Sequence, residues 1–246
     1  MIICDTQPRI ECSIAGRVHS PARNDGPKND RPKSNTFRRV HRVPAVSAGD
    51  LRVAVAESPE EIEAAGGLVR RRYAWRGYDV DAPDDPGAAG KHDRLGQEIT
   101  FVAAKSDTTI GTLTLGLDGP FGLRAEETHS DVIETMRAAG RRVCELTRLA
   151  LAESADSKPV LASLFSLAYA AGFTIHGVTD VFIEVNPRHV GFYSRVLGFV
   201  VAAGEGFCER VRAPSILLHV EVEALAARLE ALAWGPFAQP VLAQAA

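Results

Sequence analysis

Two ionisable side chains sit where a strand would ordinarily be apolar. Glu145 and Arg148 lie inside the run Val143-Cys144-Glu145-Leu146-Thr147-Arg148-Leu149-Ala150-Leu151. About thirty residues on, Val181-Phe182-Ile183-Glu184-Val185 forms a second apolar run and leads into Asn186-Pro187-Arg188-His189-Val190-Gly191-Phe192-Tyr193. Strands spend interior positions on charge mainly where a cleft needs it, so the two runs and the helix between them suggest an active site. A carboxylate whose pKa is raised by partial burial can take a proton, which makes Glu145 a candidate base. Its structural alternative is an ion pair with Arg148. Guanidinium geometry suits Arg148 to bidentate binding of a carboxylate, or to holding Glu145 in place. In a regular strand the two would point to opposite faces, and only a β-bulge would bring them together.

Other chemistries find less support. Cys4, Cys12, Cys144 and Cys208 are far apart with no CxxC pair, and the seven histidines do not cluster at ligand spacing. Neither a disulfide framework nor a zinc site is implied. Cys144, beside Glu145, reads as a small buried hydrophobe rather than a reactive thiol.

The elements that must position these residues follow from pattern. Nearly half of the 246 residues are apolar, enough for a substantial core. No apolar run approaches the roughly 18 residues that cross a bilayer, and the first 30 residues carry no signal-peptide pattern, so the expected address is cytoplasmic. The net charge of -3 conceals a division: residues 1–49 hold nine Lys/Arg against four Asp/Glu, leaving the rest at -8. That first stretch, rich in Pro, Asn, Asp, Ser and Arg, reads as a disordered basic leader. Arg38-Arg39-Val40-His41-Arg42 within it reads as a solvated linker rather than a nucleic-acid-binding arm.

From Leu51 the order is strand (51–55), helix (59–72, opened by the capping box Ser58-Pro59-Glu60-Glu61), and a loop (79–96) dense in Asp, Pro and Gly. A hairpin (99–104 and 109–117), a helix (130–139) and the strand 143–151 follow. Then come a helix (159–171) stopped by Gly172, the strand 181–185, a short helix (188–197) stopped by Gly198, and a last strand (215–220). This describes an α+β or mixed-sheet domain over 50–220 rather than a parallel βαβ series. Residues 221–246 add an amphipathic helix, packing on the domain or on a second subunit, and a loose tail.

This order, with Asn186-Pro187-x-x-x-Gly191-Phe192-Tyr193-x-x-x-x-Gly198-Phe199, resembles the GNAT acyltransferase superfamily. Within it, Cys144-Glu145-x-x-Arg148-Leu149-Ala150 and the Arg-rich helix running into Tyr73-x-Trp75 are similar to the acyl-homoserine-lactone synthases. They are more similar still to the N-acyl amino acid synthases of the FeeM type. The resemblance spans roughly Leu51 to Val220. It implies a three-layer α+β fold, GNAT-like, with a central mixed, mostly antiparallel twisted sheet flanked by helices. It also implies a cleft lined by the Glu145 strand, with a bulge that turns a backbone N–H toward a thioester oxygen.

The implied reaction moves a medium or long fatty acyl group from acyl carrier protein to the α-amine of an amino acid. That needs a neutral amine, a polarised carbonyl and a proton for the departing thiolate. Acetyl-CoA enzymes of the superfamily carry a glycine-rich pyrophosphate loop before the helix that follows this strand. Here Ala152 to Pro159 has no glycine and two acids, as a donor without the CoA nucleotide would allow. The implied co-substrate is an acyl-phosphopantetheine thioester on the carrier protein, with no bound cofactor and no metal.

By the same resemblance Glu145 is the base, directly or through water, and Tyr193 is an acid for the thiolate or a packing residue. Arg148 receives the acceptor's carboxylate. Arg72 and Trp75 shape the acceptor pocket, with core packing as the alternative for Trp75. Asp93 is an acidic loop position or a surface turn residue. Asn186 hydrogen-bonds the pantetheine arm, and His189 begins a helix. Arg70, Arg71, Arg137, Arg141 and Arg142 form two basic clusters that could steer an acidic carrier protein. Leu113, Leu115, Leu161 and Phe165 line an acyl tunnel or fill the core. The other readings are a lactone synthase using S-adenosylmethionine, an acetyl-CoA N-acetyltransferase, and a non-catalytic GNAT-like module that binds the carrier protein. The acceptor's identity, chain length and oligomeric state stay open.

Overall fold

The computed structural model describes residues 43, 45–79 and 96–231. Asp93 and the end of the C-terminal tail lie outside them.

Helix α1 (Pro59–Trp75) begins where its capping box dictates, with Ser58 Oγ accepting from the Glu61 N–H at 3.1 Å and Glu61 reaching back to the Ser58 N–H. It runs past the expected end at Arg72 because nothing in Tyr73-Ala74-Trp75 breaks a helix; the stop comes at Gly77. Strands β1 (Val46–Ala48) and β2 (Leu51–Val55) pair antiparallel across Gly49, whose φ of +59° makes the turn. Val46–Ala48, expected within the leader of residues 1–49, is thus a strand because it has β2 to pair with, and residues 1–42 of that leader lie outside the described residues.

The hairpin forms as expected from β3 (Glu98–Lys105) and β4 (Thr108–Leu117), with Ser106 and Asp107 both at positive φ. There follow α2 (Glu126–Ala138), β5 (Val143–Leu151), α3 (Ser157–Tyr169) and β6 (Asp180–Val185). After α3 the chain does not stop at Gly172 but continues in wider turns through Ala170–Ile175. Residues 187–197 make three short helical turns, with α4 (Val190–Phe192) at their centre. Strand β7 (Val200–Cys208) was not expected from sequence, while β8 (Ala213–Glu221) and α5 (Val222–Ala231) were.

The eight strands form one sheet in the order β1-β2-β3-β4-β5-β6-β8-β7, antiparallel throughout except for β5 and β6. Helices α1 and α2 pack on one face and α3 with α5 on the other, giving the expected three-layer α+β arrangement. Phe101, Leu113, Leu115, Leu164 and Phe165 fill the thicker core on the α3 side. One helical stretch, Ser157–Ile175, is long and apolar enough to span a membrane by length and composition, which the sequence reading did not find. It is 67% buried against the sheet, as a core helix is.

Candidate active site

Strands β5 and β6 pair through only three residues, Val143 with Asp180, Cys144 with Val181 and Glu145 with Phe182. Beyond Glu145 they separate, so Glu145 stands at the vertex of a wedge that opens toward the C-terminal ends of both strands. Ligands commonly enter parallel sheets from that end.

The β5 bulge is present. Thr112 pairs with Ala150 and Thr114 with Thr147, so Arg148 and Leu149 together oppose Leu113. Arg148 takes φ +54°, a left-handed conformation costly for a residue with a side chain. The extra residue reverses the alternation and delivers Arg148 to the same face as Glu145, under α1 and α2.

The two do not pair with each other. Arg148 Nη1 donates to Glu98 Oε2 at 2.7 Å, and Arg124 Nε donates to Glu98 Oε1 at 2.7 Å. Glu98, Gly116 and Glu145 lie in one row across β3, β4 and β5. Glu145 accepts from the backbone N–H groups of Arg124 at 2.8 Å and Ala125 at 3.0 Å, which lead into α2. A carboxylate suits that end of a helix. Its exposure is 4%, and burial raises its pKa although the two N–H groups and nearby guanidinium groups oppose the rise. For Glu98 burial pushes the same way, but Arg148 and Arg124 prevail and its pKa is lowered. Burial lowers the basicity of Arg148.

The other arm of the wedge carries Glu184, two residues beyond Phe182. Arg210 Nη2 and Ser215 Oγ each donate to it at 2.7 Å, and Arg210 Nη1 donates to the Arg124 carbonyl at 2.8 Å. His129 Nε2 lies 3.9 Å from Glu184 Oε1. Glu98, Arg124, Glu184 and Arg210 were not singled out from sequence. The available signal was again charge within apolar strands, at Glu98 and Glu184.

Tyr193 is buried at 8% exposure, edge-on to Phe192 and Phe199, and burial drives its pKa well above the usual tyrosine value. Tyr73 lies beside Tyr78 with ring centroids 5.5 Å apart. Its pKa is pushed up to about 12, first by burial and then by Tyr78, with Arg148 opposing.

The mouth of the wedge is rimmed by the end of α1 and the residues after β5 and β6. Trp75 is 54% exposed, which overturns core packing for it, and the guanidinium groups of Arg72 and Arg76 lie 4.5 and 4.7 Å from its ring centroid. Arg72 also donates to Glu153 at 2.9 Å. Asn186 is engaged at both ends of its amide, with Nδ2 donating to the Pro214 carbonyl and Oδ1 accepting from Arg188. It ties the end of β6 to β8.

The five arginines assigned to docking divide. Arg70 pairs with Glu63, and Arg71 is exposed. Arg137 binds Asp118, Glu126 and Glu134, Arg141 binds Asp180 bidentately, and Arg142 donates to the His176 carbonyl. Arg141 and Arg142 precede β5, at the opposite end from the mouth.

On the α3 side of the sheet is a narrow apolar crevice with room for little more than one water molecule. Cys144, Leu146 and Val181 from the wedge strands line it with Leu115, Phe165 and Phe173. Of the four apolar tunnel candidates, Leu115 and Phe165 reach it, while Leu113 and Leu161 are core residues. Cys144 is packed there, and burial drives its thiol pKa far up. The turn before α3 ends on Asp156 as N-cap, and Pro159 in the first helical turn lacks an N–H, so this helix start offers a poor cradle for a pyrophosphate. Among the described residues no three His, Cys, Asp or Glu groups converge as metal ligands.

Residues 64–221 match the model of a family described as N-acyl amino acid synthase FeeM. The solved structure of FeeM, an N-acyl amino acid synthase from uncultured soil microbes, aligns with a TM-score of 0.60 at 23% identity, covering 72% of this chain and 93% of that one. The acyl-homoserine-lactone synthase LasI aligns with a TM-score of 0.50 at 12% identity, covering 71% and 91%. At these identities the two structures speak for the fold. No sequence among the curated proteins matches.

Proposed function

Because the chain belongs to the N-acyl amino acid synthase FeeM family and is an acyltransferase on a GNAT-type fold, we propose that it moves a fatty acyl group from the phosphopantetheine thioester of acyl carrier protein to the α-amine of an amino acid. The observation that carries this reading is the wedge itself. Beyond Glu145 the strands part, with a buried polar face on the α1 and α2 side and, on the α3 side, an apolar crevice that starts beneath the paired Cys144 and Val181 and reaches Leu146. An acyl tail that widens this narrow crevice on entry would leave its thioester between β5 and β6, with the attacking amine on the polar face.

The reaction forms an N–C bond and breaks the C–S bond. The proton lost by the amine goes to Glu145, directly or through one water, and the departing thiolate regains a proton from Glu145 or from solvent. Its raised pKa favours proton capture near neutrality, and each carboxylate oxygen keeps a lone pair beyond its N–H bond. Past Glu145 the β5 edge has no paired residue in β6, and a backbone N–H along it would meet the developing oxyanion. Arg148, held by Glu98, supplies positive charge for the acceptor's carboxylate. Tyr193 stays protonated at any working pH. Since a thiol is the stronger acid, with a pKa near 8.5, Tyr193 serves better as a hydrogen-bond donor to the thiolate than as its proton source. The start of α3, with Asp156 and Pro159, favours a carrier-protein donor over a CoA nucleotide.

The test is a mass-spectrometric product assay with C12 to C16 acyl carrier proteins, a pool of amino acids and S-adenosylmethionine, run beside acetyl-CoA. An N-acyl amino acid is expected. An acyl lactone, or product from acetyl-CoA alone, overturns the reading.

A further inference from the structure

The mouth of the wedge concentrates positive charge that the described residues neutralise only in part. Arg72, Arg76 and Arg188 come from the end of α1 and the turn after β6. Only Arg72 has a carboxylate partner among the described residues, Glu153. Arg76 lies against the Trp75 ring, and Arg188 lies 5.3 Å from the Tyr78 centroid and donates to Asn186 Oδ1. The groups feel one another: Arg76 is made less basic by burial, then by Arg188 and Arg72. His189 falls to about 4 through burial and the same two arginines, Arg76 and Arg188, so it is neutral at physiological pH. Three like charges gathered with one carboxylate among the described residues cost stability, and an exposed indole held between two of them has no packing purpose.

We infer that Arg72, Arg76 and Arg188, with Trp75, form a binding site for a phosphate ester at the wedge mouth. On the proposed transfer reaction, on which this inference rests, that group is the phosphate of the donor's phosphopantetheine arm. The placement fits: the arm must leave the wedge past the ends of β5 and β6, where Glu153 and Asn186 mark the rim. Guanidinium groups bind phosphate oxygens through charge-assisted, often bidentate, hydrogen bonds. The indole offers a flat wall for the arm beyond the phosphate.

Trp75 and Trp234 are the only two tryptophans, so the Trp234→Phe protein reports Trp75 fluorescence alone. In this background phosphopantetheine and inorganic phosphate are titrated, with acetate as the carboxylate control. Both phosphates are expected to change Trp75 emission. Arg76→Gln and Arg188→Gln are each expected to weaken binding roughly tenfold, the effect of losing one charge-assisted hydrogen bond. Arg195→Gln, exposed on the same short helical segment, removes the same net charge away from the rim and should bind as the parent does. Melting temperatures of the two rim variants should equal or exceed the parent's, since neither strands a carboxylate. No phosphate binding, no loss in Arg76→Gln and Arg188→Gln, or an equal loss in Arg195→Gln overturns the site. Acetate binding as tightly as phosphate would assign the rim to carboxylates and overturn it too. Phosphate binding without any acyl product would instead count against the transfer reading alone.

Discussion

Strand β4 contains two glycines that permit a matched pair of perturbations. A Cβ at Gly116 would stand 2.8 Å from Glu145 Cγ and 3.0 Å from its Oε1, and one at Gly111 would stand 2.6 Å from Val160 Cγ1. Both substitutions to alanine overpack, one on each face of the sheet. Each should cost about 1–3 kcal/mol of stability. Their effects on catalysis should differ. To reach an ordinary contact of 3.4 Å, the Glu145 side chain must back away by more than half an ångström. Its bonds to the Arg124 and Ala125 N–H groups are 2.8 and 3.0 Å, so a shift of that size breaks or bends both. Charge-assisted bonds of this kind are worth on the order of 1.5–3 kcal/mol each. Loss of placement at a base is felt steeply, and a displacement near 1 Å can cost about 10²-fold in rate. Urea unfolding gives the stability of each variant, and single-turnover acyl transfer at saturating donor gives the chemical step. Gly116→Ala should lose about 10- to 100-fold in that step, while Gly111→Ala should stay within a factor of a few. Equal kinetic losses in the two, or full activity in Gly116→Ala with the expected stability loss, would refute the placement of Glu145 at the reacting centre.

Further expectations concern the polar face, the mouth and the crevice. Glu98→Gln leaves Arg124 and Arg148 with one neutral acceptor in place of a carboxylate and should destabilise by about 3 kcal/mol by urea midpoint; a change below about 0.5 kcal/mol would mean the pair is solvated. His189 has a folded pKa of about 4 against about 6.5 unfolded, so the unfolded chain binds the extra proton in between and stability falls as pH drops through that window. His189→Gln should flatten this part of the pH–stability curve, and an unchanged slope would place the titration elsewhere. Ala168→Leu narrows the crevice and should lower kcat/KM for C16 donors at least tenfold more than for C8 donors; a uniform effect would move the acyl tail out of the crevice.

How much of this was legible depends on whether the signal was local. Charge inside an apolar strand is anomalous on its own, so Glu145 and Arg148 were visible, and the capping box fixed the start of α1. Their common face was not readable. It depends on which β4 residue stands opposite and on a left-handed Arg148, neither of which leaves a mark in the sequence. The Glu145–Arg148 ion pair failed for the same reason, because the partner of Arg148 is Glu98, 50 residues away. Glu98 opens β3, so the charge there is a weaker signal than one at mid-strand. Strand β7 escaped because Val200-Val201-Ala202-Ala203-Gly204-Glu205-Gly206 shows no alternation. It is an edge strand with Val200 59% and Val201 55% exposed, and β8 determines it. For Trp75 the sequence left pocket and core packing open, and only the packing of α1 put the ring outside.

The short pairing between β5 and β6 makes Glu145 and Phe182 a fulcrum. Five strands lie to one side of it and three to the other, and the next fastening toward the start of these strands is Asp180 with Arg141, Thr179 and His219. On the proposed transfer, an acyl chain driven between the strands would act as a crowbar. Its leverage would bear on the Asp180 clasp at one end and spread the arginines of the rim at the other, so that donor entry, the clasp and the spacing of the rim charges would be mechanically one event.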